Sequence, residues 1–403
     1  MSGKLRIAFY TDTYAPAHDG VVTSILDIRR ELERRGHEVF IFTSGSAATR
    51  NATRGDDHVF VSNSVSLKSY PQYNLAILPL SAAGRLMKVK PDIVHAQTPF
   101  IMGSWGVAIA KISGLPVVST FHTMFMDRTV IEEYATKIAA KHISRYAWRY
   151  AGLFYNQCNV TIAPSKAVKR ILDRRGVRNV YVCPNGVNTA RFNLSVDGSR
   201  LRKGLQRAPG ERLVLYVGRN SKEKHLEVLL KAMAHMKGER IRAVVCGTGP
   251  AHDYYVRQAA AHGVSDIVTF TGFVPDAMLP KYYAACDVFC IPSTFETQGL
   301  VCLEAMACGK PVVAADSLAL HDLISSGRNG EKFRPGDSKD CARKIKKAIN
   351  NIWSYKETAQ TAEMYSVGRA ADRLIQIYEM ALKRGRHDTL RIRPSVLEDR
   401  QRG

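Results

Sequence analysis

Short apolar runs rich in β-branched residues alternate with helix-length stretches along this chain, and the alternation occurs twice, before residue 190 and again after residue 210. Strands that are joined by helices pair in parallel, and both faces of such a sheet are covered by helices. Each set of runs therefore predicts a doubly wound parallel sheet. The predicted strands are Leu5–Tyr10, Val39–Thr43, Ile93–His95, Pro116–Thr120, Val160–Ala163, Leu213–Val217, Ala243–Cys246, Val268–Phe270, Val288–Ile291 and Pro311–Ala314.

The length of 403 residues also fits two α/β domains, each with its own core. We expect an N-terminal, acceptor-side domain at 1–190, a polar and basic linker at 191–210, and a C-terminal domain at 211–370. A C-terminal helix and basic tail at 371–403 would follow, with the helix able to pack back on the first domain. Two such domains facing across a cleft place ligands beyond the carboxyl ends of their strands.

The net charge of +22 arises from 58 basic and 36 acidic residues, spread over both predicted domains. Such a chain attracts phosphate-bearing partners, which include nucleic acid, an anionic membrane and phosphorylated small molecules. Nucleic-acid binding is the weaker alternative, because no recognition motif is present and the basic residues do not gather on one element.

The N-terminus lacks a secretory signal, and the longest stretch without charge contains His95, Gln97 and Pro99. We therefore expect a cytoplasmic protein without a transmembrane helix. The eight cysteines form no Cys-x-x-Cys pair and are expected to be buried, reduced thiols. The chain also has no Asp-x-Asp pair, so no metal and no further cofactor is expected.

Three loops after predicted strands carry chemistry. The first loop contains Gly20 and leads into a helix predicted at Ile25–Arg35. Free N–H groups at the start of this helix can bind phosphate, although a single glycine at such a turn is common. Arg219 and Lys224 follow another strand and can clamp a diphosphate or form a solvated basic loop. Glu296 and Glu304 lie eight residues apart, two helical turns if both are on a helix, and suit recognition of hydroxyls.

Two histidines end strands of the predicted first domain. His122 follows Thr120 in the run Ser-Thr-Phe-His-Thr, and His95 lies in the run Asp-Ile-Val-His-Ala-Gln. A histidine at a strand end is often structural, but His122 has the position of a ligand-binding residue, and His95 is the weaker candidate of the same kind.

Taken together, these motifs resemble the retaining glycosyltransferases of family 4, which have the GT-B fold of two Rossmann-like domains. The resemblance spans nearly the whole chain and rests on the order and spacing of its motifs. These are the Gly20 loop, Pro164-Ser165, Pro184-Asn185-Gly186-Val187, Gly218-Arg219 with Lys224, Gly247-Thr248-Gly249-Pro250 and Glu296-x7-Glu304. The run Glu296-Thr297-Gln298-Gly299-Leu300 looks most like the members that glycosylate glycerolipids. The run Ala315–Asp322 departs from a Gly-Gly pair found in many relatives.

The resemblance implies a hexose transfer from a UDP- or GDP-linked sugar to an acceptor, a membrane glycerolipid or another lipid-linked glycan, without a metal. It implies that Arg219 and Lys224 hold the diphosphate, Glu304 the ribose and Glu296 the donor sugar. His122 would lie by the reacting carbon, and backbone near Phe273 would contact the base. The implied catalytic residues are His122, Glu296, Arg219 and Lys224, and the implied donor-binding residues are Gly20, Arg219, Lys224, Phe273, Glu296, Gly299, Leu300 and Glu304.

An acceptor in a membrane would need a surface that binds it. Lys137, Lys141, Arg145 and Arg149 recur every four residues in a stretch without acids, with aromatic residues nearby. This stripe can bind an anionic membrane, which would place the protein peripherally on the inner face of the cell membrane, or it can be a solvated helix face. A nucleotide-sugar epimerase of the same fold is the alternative function, but it gives the stripe no role.

Overall fold

The computed structural model describes residues 3–17, 19–67, 70–77, 79–132 and 135–392, so the end of the predicted basic tail lies outside the described residues. The chain divides into two compact units. The first comprises Met1–Pro184 and Gly368–Gly403, and the second comprises Asn185–Val367. Each unit contains one large parallel sheet, which confirms two Rossmann-like domains.

The first unit is built on a seven-stranded sheet of order β3-β2-β1-β6-β7-β8-β9, with β4 and β5 forming a separate antiparallel pair. Its strands are β1 (Arg6–Thr11), β2 (Glu38–Ser44), β3 (Val59–Ser62), β4 (Ser64–Leu67), β5 (Tyr70–Ala76), β6 (Ile93–Ala96), β7 (Val117–Thr120), β8 (Val160–Ala163) and β9 (Val180–Val182). Its helices are α1 (Gly20–Arg34), α2 (Ala47–Ala52), α3 (Leu80–Val89), α4 (Ile101–Ile112), α5 (Arg128–Ile131), α6 (Lys137–Asn156) and α7 (Lys166–Arg174).

The second unit is built on a six-stranded parallel sheet of order β12-β11-β10-β13-β14-β15. Its strands are β10 (Arg212–Val217), β11 (Ile241–Cys246), β12 (Val268–Gly272), β13 (Val288–Ile291), β14 (Val312–Ala315) and β15 (Gly330–Phe333). Its helices are α8 (Ser199–Leu205), α9 (Leu226–Ala234), α10 (His252–Ala261), α11 (Leu279–Ala285), α12 (Leu300–Ala307), α13 (Leu318–Leu323), α14 (Ser338–Asn350) and α15 (Tyr355–Glu363).

The predicted linker at 191–210 contains α8, which packs within the second unit. Arg202 donates to the carbonyl of Ala285 at 2.7 Å and to the carboxylate of Asp287 at 2.8 Å. Gly198 fits against the backbone of Ala285 so closely that a Cβ atom there would lie 2.5 Å from its nitrogen. Gly198 and Arg202 of the predicted linker thus hold this segment against the end of α11.

The last helix, α16 (Val367–Ile392), belongs almost entirely to the first unit. Its apolar side chains are buried with those of β1, β2 and β6, and Arg35 of the first unit forms an ion pair of 2.5 Å with Asp372 on this helix. The chain thus returns to the first unit after completing the second. The apolar side chains of α16 in this core are Ala371, Leu374, Ile377, Tyr378 and Ala381.

Several central strands of both sheets are buried along their whole length. Strands such as Val160–Ala163 and Val288–Ile291 are buried at every residue, as expected when helices cover both faces. All eight cysteines are buried and free. No helix in the described part of the chain is long and apolar enough to cross a membrane.

Candidate active site

An ion pair marks the point in the second unit where the strand order reverses. Because β10 lies between β11 and β13, the loops after β10 and β13 open away from each other and leave a crevice at the carboxyl ends of these strands. Lys224 lies in the first loop and Glu296 in the second. The Nζ atom of Lys224 is 2.8 Å from Oε1 of Glu296, although the residues are 72 positions apart.

The environment keeps both groups of this pair charged. Burial alone would raise the pKa of Glu296, but the charge and hydrogen bond of Lys224 outweigh burial, and the pKa lies below its ordinary value. Burial and the positive charge of Arg219 would lower the pKa of Lys224, but Glu296 raises it above its ordinary value. Lys224 therefore holds a full positive charge in the crevice at neutral pH.

Two loops interlock beside this pair. Gly247, after β11, has a φ of +133°, and a Cβ atom there would lie 2.0 Å from the carbonyl oxygen of Gly218. Asn220 donates from its side chain to the carbonyl of Gly247, and its own N–H bonds to the carbonyl of Thr248. Only glycine allows this approach, so the motif at 247–250 supports the loop that carries Arg219 and Lys224.

Glu304 lies on α12, but Glu296 does not, because the helix begins at Leu300 after Gly299. The eight-residue spacing therefore does not correspond to two helical turns, and Glu296 lies in the loop before the helix. Gly299 has a φ of +85°, a conformation that starts the helix without a Cβ penalty. The buried carboxylate of Glu304 accepts a hydrogen bond of 2.7 Å from the hydroxyl of Tyr283. Tyr283 thus fixes one oxygen of Glu304.

The other predicted donor residues of the second unit lie in loops at the same end of its sheet. Arg219 follows β10 and is close enough to Lys224 to affect its pKa. Phe273 follows β12 and is 54% exposed. Leu300 is the first residue of α12.

The loop that departs from the Gly-Gly pattern keeps the backbone conformation that glycine favours. Leu318 has a φ of +44°. The same loop contacts the loop of Glu296. The hydroxyl of Ser317 donates to the backbone carbonyl of Thr294 at 3.0 Å, and the N–H of Ala319 donates to the backbone carbonyl of Glu296 at 3.4 Å. This loop therefore supports the backbone of Glu296 without the Gly-Gly pair.

His122 and His95 of the first unit are joined through one side chain. Nε2 of His122 lies 2.8 Å from Oε1 of Gln97, and Nε2 of Gln97 lies 3.2 Å from Nδ1 of His95. Burial lowers the pKa of His122 to about 4, and burial together with the nearby His122 lowers that of His95 to about 3. Both imidazoles are therefore neutral at pH 7. The sequence analysis did not single out Gln97.

Helix α1 begins at Gly20, five residues before the predicted start, because Asp19 caps it. The carboxylate of Asp19 accepts 2.9 Å hydrogen bonds from the N–H groups of Val21 and Val22. The expectation that these N–H groups are free was wrong. Nothing lies within 4 Å of a Cβ atom built on Gly20, so the site has space for a ligand.

A second acid in this region also caps a helix. Asp12 is buried and accepts hydrogen bonds from the hydroxyl of Thr98 at 2.5 Å and from the N–H of Met102 at 2.8 Å. Burial raises its pKa to about 6, despite these bonds. The signal that would have found it is an acid at the end of a strand together with a later helix, α4, whose N-cap residue Phe100 has no side chain that can cap it.

The predicted basic stripe lies on α6, where Lys137, Lys141, Arg145 and Arg149 are all exposed. The neighbouring aromatic residues divide between core and surface: Trp148 and Phe154 are buried, whereas Tyr146 and Tyr150 are exposed. The exposed apolar side chains of this helix are Ile138, Ile143, Tyr146, Tyr150 and Leu153.

Comparison with known proteins decides the family. The model "Glycosyltransferase Family 4" matches residues 18–191, and "Glycosyl transferases group 1" matches residues 198–364. An alpha-monoglucosyldiacylglycerol synthase of Streptococcus pneumoniae is 33% identical over 338 residues, 82% of this chain and 75% of the relative. The chain belongs to glycosyltransferase family 4.

The resemblance inferred from the sequence is thus confirmed, and the protein is a glycosyltransferase. An alpha-monoglucosyldiacylglycerol synthase of Acholeplasma laidlawii is 28% identical over 83% of this chain and 86% of that protein. A crystal structure of Anabaena HepE in complex with UDP has the same fold, with a TM-score of 0.74 and 23% identity over 94% of this chain and all of that one. These relatives give no support to an epimerase or to a nucleic-acid-binding protein.

Proposed function

We propose that this family 4 glycosyltransferase moves a hexose from a nucleotide sugar to a membrane glycerolipid and retains the anomeric configuration. The observation that carries the proposal is the Lys224–Glu296 ion pair at the strand-order reversal of the second unit. A sugar diphosphate offers phosphate oxygens to a cation and hydroxyls to a carboxylate, so this pair supports a nucleotide-sugar donor. The names of the two synthase relatives support a glucosyl donor and a diacylglycerol acceptor, and the UDP bound to Anabaena HepE supports a uridine nucleotide.

The proposed donor contacts follow from the chemistry of each group. Arg219 offers a fork of N–H donors to the diphosphate, and Lys224 adds a point charge. Glu304 accepts hydrogen bonds from the ribose hydroxyls. Glu296 accepts hydrogen bonds from hydroxyls of the donor sugar, while Phe273, Gly299 and Leu300 line the nucleotide.

The proposed reaction breaks the bond between the anomeric carbon and the diphosphate oxygen. Negative charge grows on the leaving diphosphate and is stabilised by Arg219 and Lys224, while positive charge grows on the sugar ring. The acceptor hydroxyl attacks from the face that the diphosphate leaves, its proton passes to the departing phosphate oxygen, and the configuration is retained. Gly20 and His122 of the first unit are proposed to contact the phosphate and the sugar.

A transfer assay tests this proposal. Purified protein would be mixed with UDP-glucose, UDP-galactose, UDP-N-acetylglucosamine or GDP-mannose and vesicles containing diacylglycerol, and the lipid product would be analysed by mass spectrometry. We expect an α-linked glycolipid from one UDP-linked hexose, and a rise in melting temperature with the same donor, because a ligand that binds only the folded state stabilises it. Product from none of the four donors would refute the proposal, and interconversion of the donor without acceptor would favour an epimerase.

The basic face of α6, formed by Lys137, Lys141, Arg145 and Arg149, is the proposed contact with the membrane. Four exposed cations stand beside exposed apolar side chains such as Tyr146 and Leu153, which combines attraction to anionic headgroups with groups that insert between them. A helix face exposed only to water gains nothing from large apolar side chains. This contact would hold the protein peripherally at the inner face of the membrane, beside its lipid acceptor.

Replacing these four residues with serine should weaken binding to phosphatidylglycerol vesicles by roughly a hundredfold or more, since each basic residue contributes about 1 kcal/mol at such a surface. Hydrolysis of the donor in solution should remain unchanged. The matched control removes four exposed cations from the second unit, Arg200, Lys203, Arg207 and Lys231. Equal loss of vesicle binding in both variants, measured by cosedimentation, would show that only net charge matters.

A further inference from the structure

A line of hydrogen bonds runs from the last helix to His122. The hydroxyl of Tyr378, on α16, lies 2.7 Å from Nδ1 of His95, and Nε2 of His95 lies 2.7 Å from Oγ1 of Thr120. Gln97 then joins His95 to His122 through its amide. All of these residues except His122 are at least nine-tenths buried, so each polar atom depends on its partner.

The chemistry of the donors fixes the proton positions along this line. An amide nitrogen can only donate, so Nδ1 of His95 accepts from Gln97 and Tyr378, and its proton is on Nε2, facing Thr120. An amide oxygen can only accept, so Nε2 of His122 carries its proton and donates to Gln97. In the neutral ring of His122, Nδ1 is then the atom with a lone pair. Rotating the side-chain amide of Gln97 by 180° would exchange its oxygen and nitrogen and reverse the tautomer of His122.

The hydroxyl of Tyr378 decides between these two arrangements. Burial raises the pKa of Tyr378 well above its ordinary value, so its hydroxyl keeps its proton, and among the described residues Nδ1 of His95 is the acceptor that the structure gives this buried donor. The donation excludes a proton on Nδ1, and of the two polar atoms of the Gln97 amide only the nitrogen can then share this lone pair, at 3.2 Å. The aromatic ring of Tyr378 also packs in the core of the first unit, so the hydroxyl is the part of the side chain that acts on His95.

We propose that Tyr378 is a positioning residue, which acts through His95 and Gln97 to hold His122, the residue proposed to contact the donor sugar, as the Nε2–H tautomer. The proposal rests on the function proposed above. It gives α16 a part in the reaction, because the helix that follows the second unit in sequence carries the group that sets the proton on a residue of the first unit. In this state the neutral ring of His122 has its proton on Nε2 and cannot donate a hydrogen bond from Nδ1.

The test compares Tyr378→Phe with Tyr181→Phe. The hydroxyl of Tyr181 also bonds to α16, because it accepts a hydrogen bond of 2.9 Å from Arg384, but it is not part of the hydrogen-bonded line from Tyr378 to His122. We expect Tyr378→Phe to lower kcat about three- to tenfold, the effect of one hydrogen bond, with the donor KM within about twofold. Tyr181→Phe should leave both within about twofold.

The ¹⁵N chemical shifts of the His122 ring report its tautomer, which would not change if Tyr378 had only a structural role. These shifts, assigned with a His122→Gln variant, should show one Nε2–H tautomer in the unaltered protein and a mixture in Tyr378→Phe. Unchanged shifts in Tyr378→Phe, or equal losses of kcat in the two tyrosine variants, would overturn the proposal. Absence of transfer by the unaltered protein would instead refute the proposed function, and the shifts would still decide whether Tyr378 controls the tautomer.

Discussion

Replacing Lys224 with methionine is expected to lower kcat/KM about a thousandfold, since removing one preorganised charge from a developing anion typically costs that much. Methionine keeps the length of the side chain and removes only the charge. The loss should appear mainly in kcat, because the charge on the diphosphate grows as the sugar leaves. Steady-state kinetics with the donor identified above would measure it.

The same substitution leaves Glu296 without its cation, and a second variant separates the two effects. In Lys224→Met the carboxylate stays partly buried and unpaired, so the free energy of unfolding should fall. Adding Glu296→Gln should recover most of that stability and none of the activity. Recovery of activity in the double variant would show that Lys224 serves only to neutralise Glu296.

The pH dependence of stability gives an independent check on the pair. Because Lys224 holds the pKa of Glu296 below its ordinary value, the folded state binds this proton less readily than the unfolded chain does. The resulting stabilisation is present above the ordinary pKa of glutamate and is lost as the pH falls through the lower folded value. Urea titrations across the acidic range should show this loss in the unaltered protein and not in Glu296→Gln.

Glu304→Ala is expected to reduce kcat/KM by about a hundredfold or more, because hydrogen bonds from two hydroxyls to one carboxylate contribute roughly 1.5 to 3 kcal/mol each. Tyr283 holds one oxygen of Glu304, so Tyr283→Phe should cause a smaller loss of the same kind. Isothermal titration with the free nucleoside diphosphate would measure the lost affinity directly.

Glu331 is the matched control for a buried glutamate. Its carboxylate is fully buried in the same unit and forms 2.8 Å ion pairs with Lys344 and Lys347. Glu331→Gln should therefore lower the melting temperature while leaving the affinity for the nucleotide unchanged. If the two glutamate variants lost nucleotide affinity equally, the role of Glu304 would be structural.

Local sequence pattern was sufficient for much of the fold. Runs such as Val160–Ala163 and Val288–Ile291 match observed strands residue for residue, because a strand buried on both faces must be apolar throughout. Three of the four edge strands of the large sheets, β3, β9 and β15, were missed, whereas the edge strand β12 was predicted as Val268–Phe270. Strand β15 contains Glu331 and Lys332, and β9 has only three residues, so neither gives a long apolar run.

The sequence by itself also predicted which loops would carry chemistry. Parallel strands end at a common edge, so the loops after Val217 and Ile291 were expected at the same edge of the sheet once the alternation was recognised. The family resemblance added roles for the charged residues in those loops. These inferences needed only periodicity and short spacings, which nearby residues encode.

Only the tertiary structure decided which side chains meet. Lys224 and Glu296 are 72 residues apart, and Tyr378 and His95 are 283 apart, distances over which no periodicity carries information. The return of α16 to the first unit depends on how its apolar face packs against a completed core. Hydrogen-bond direction and ion pairing need positions within a few tenths of an ångström, and the packing of the whole unit sets those positions.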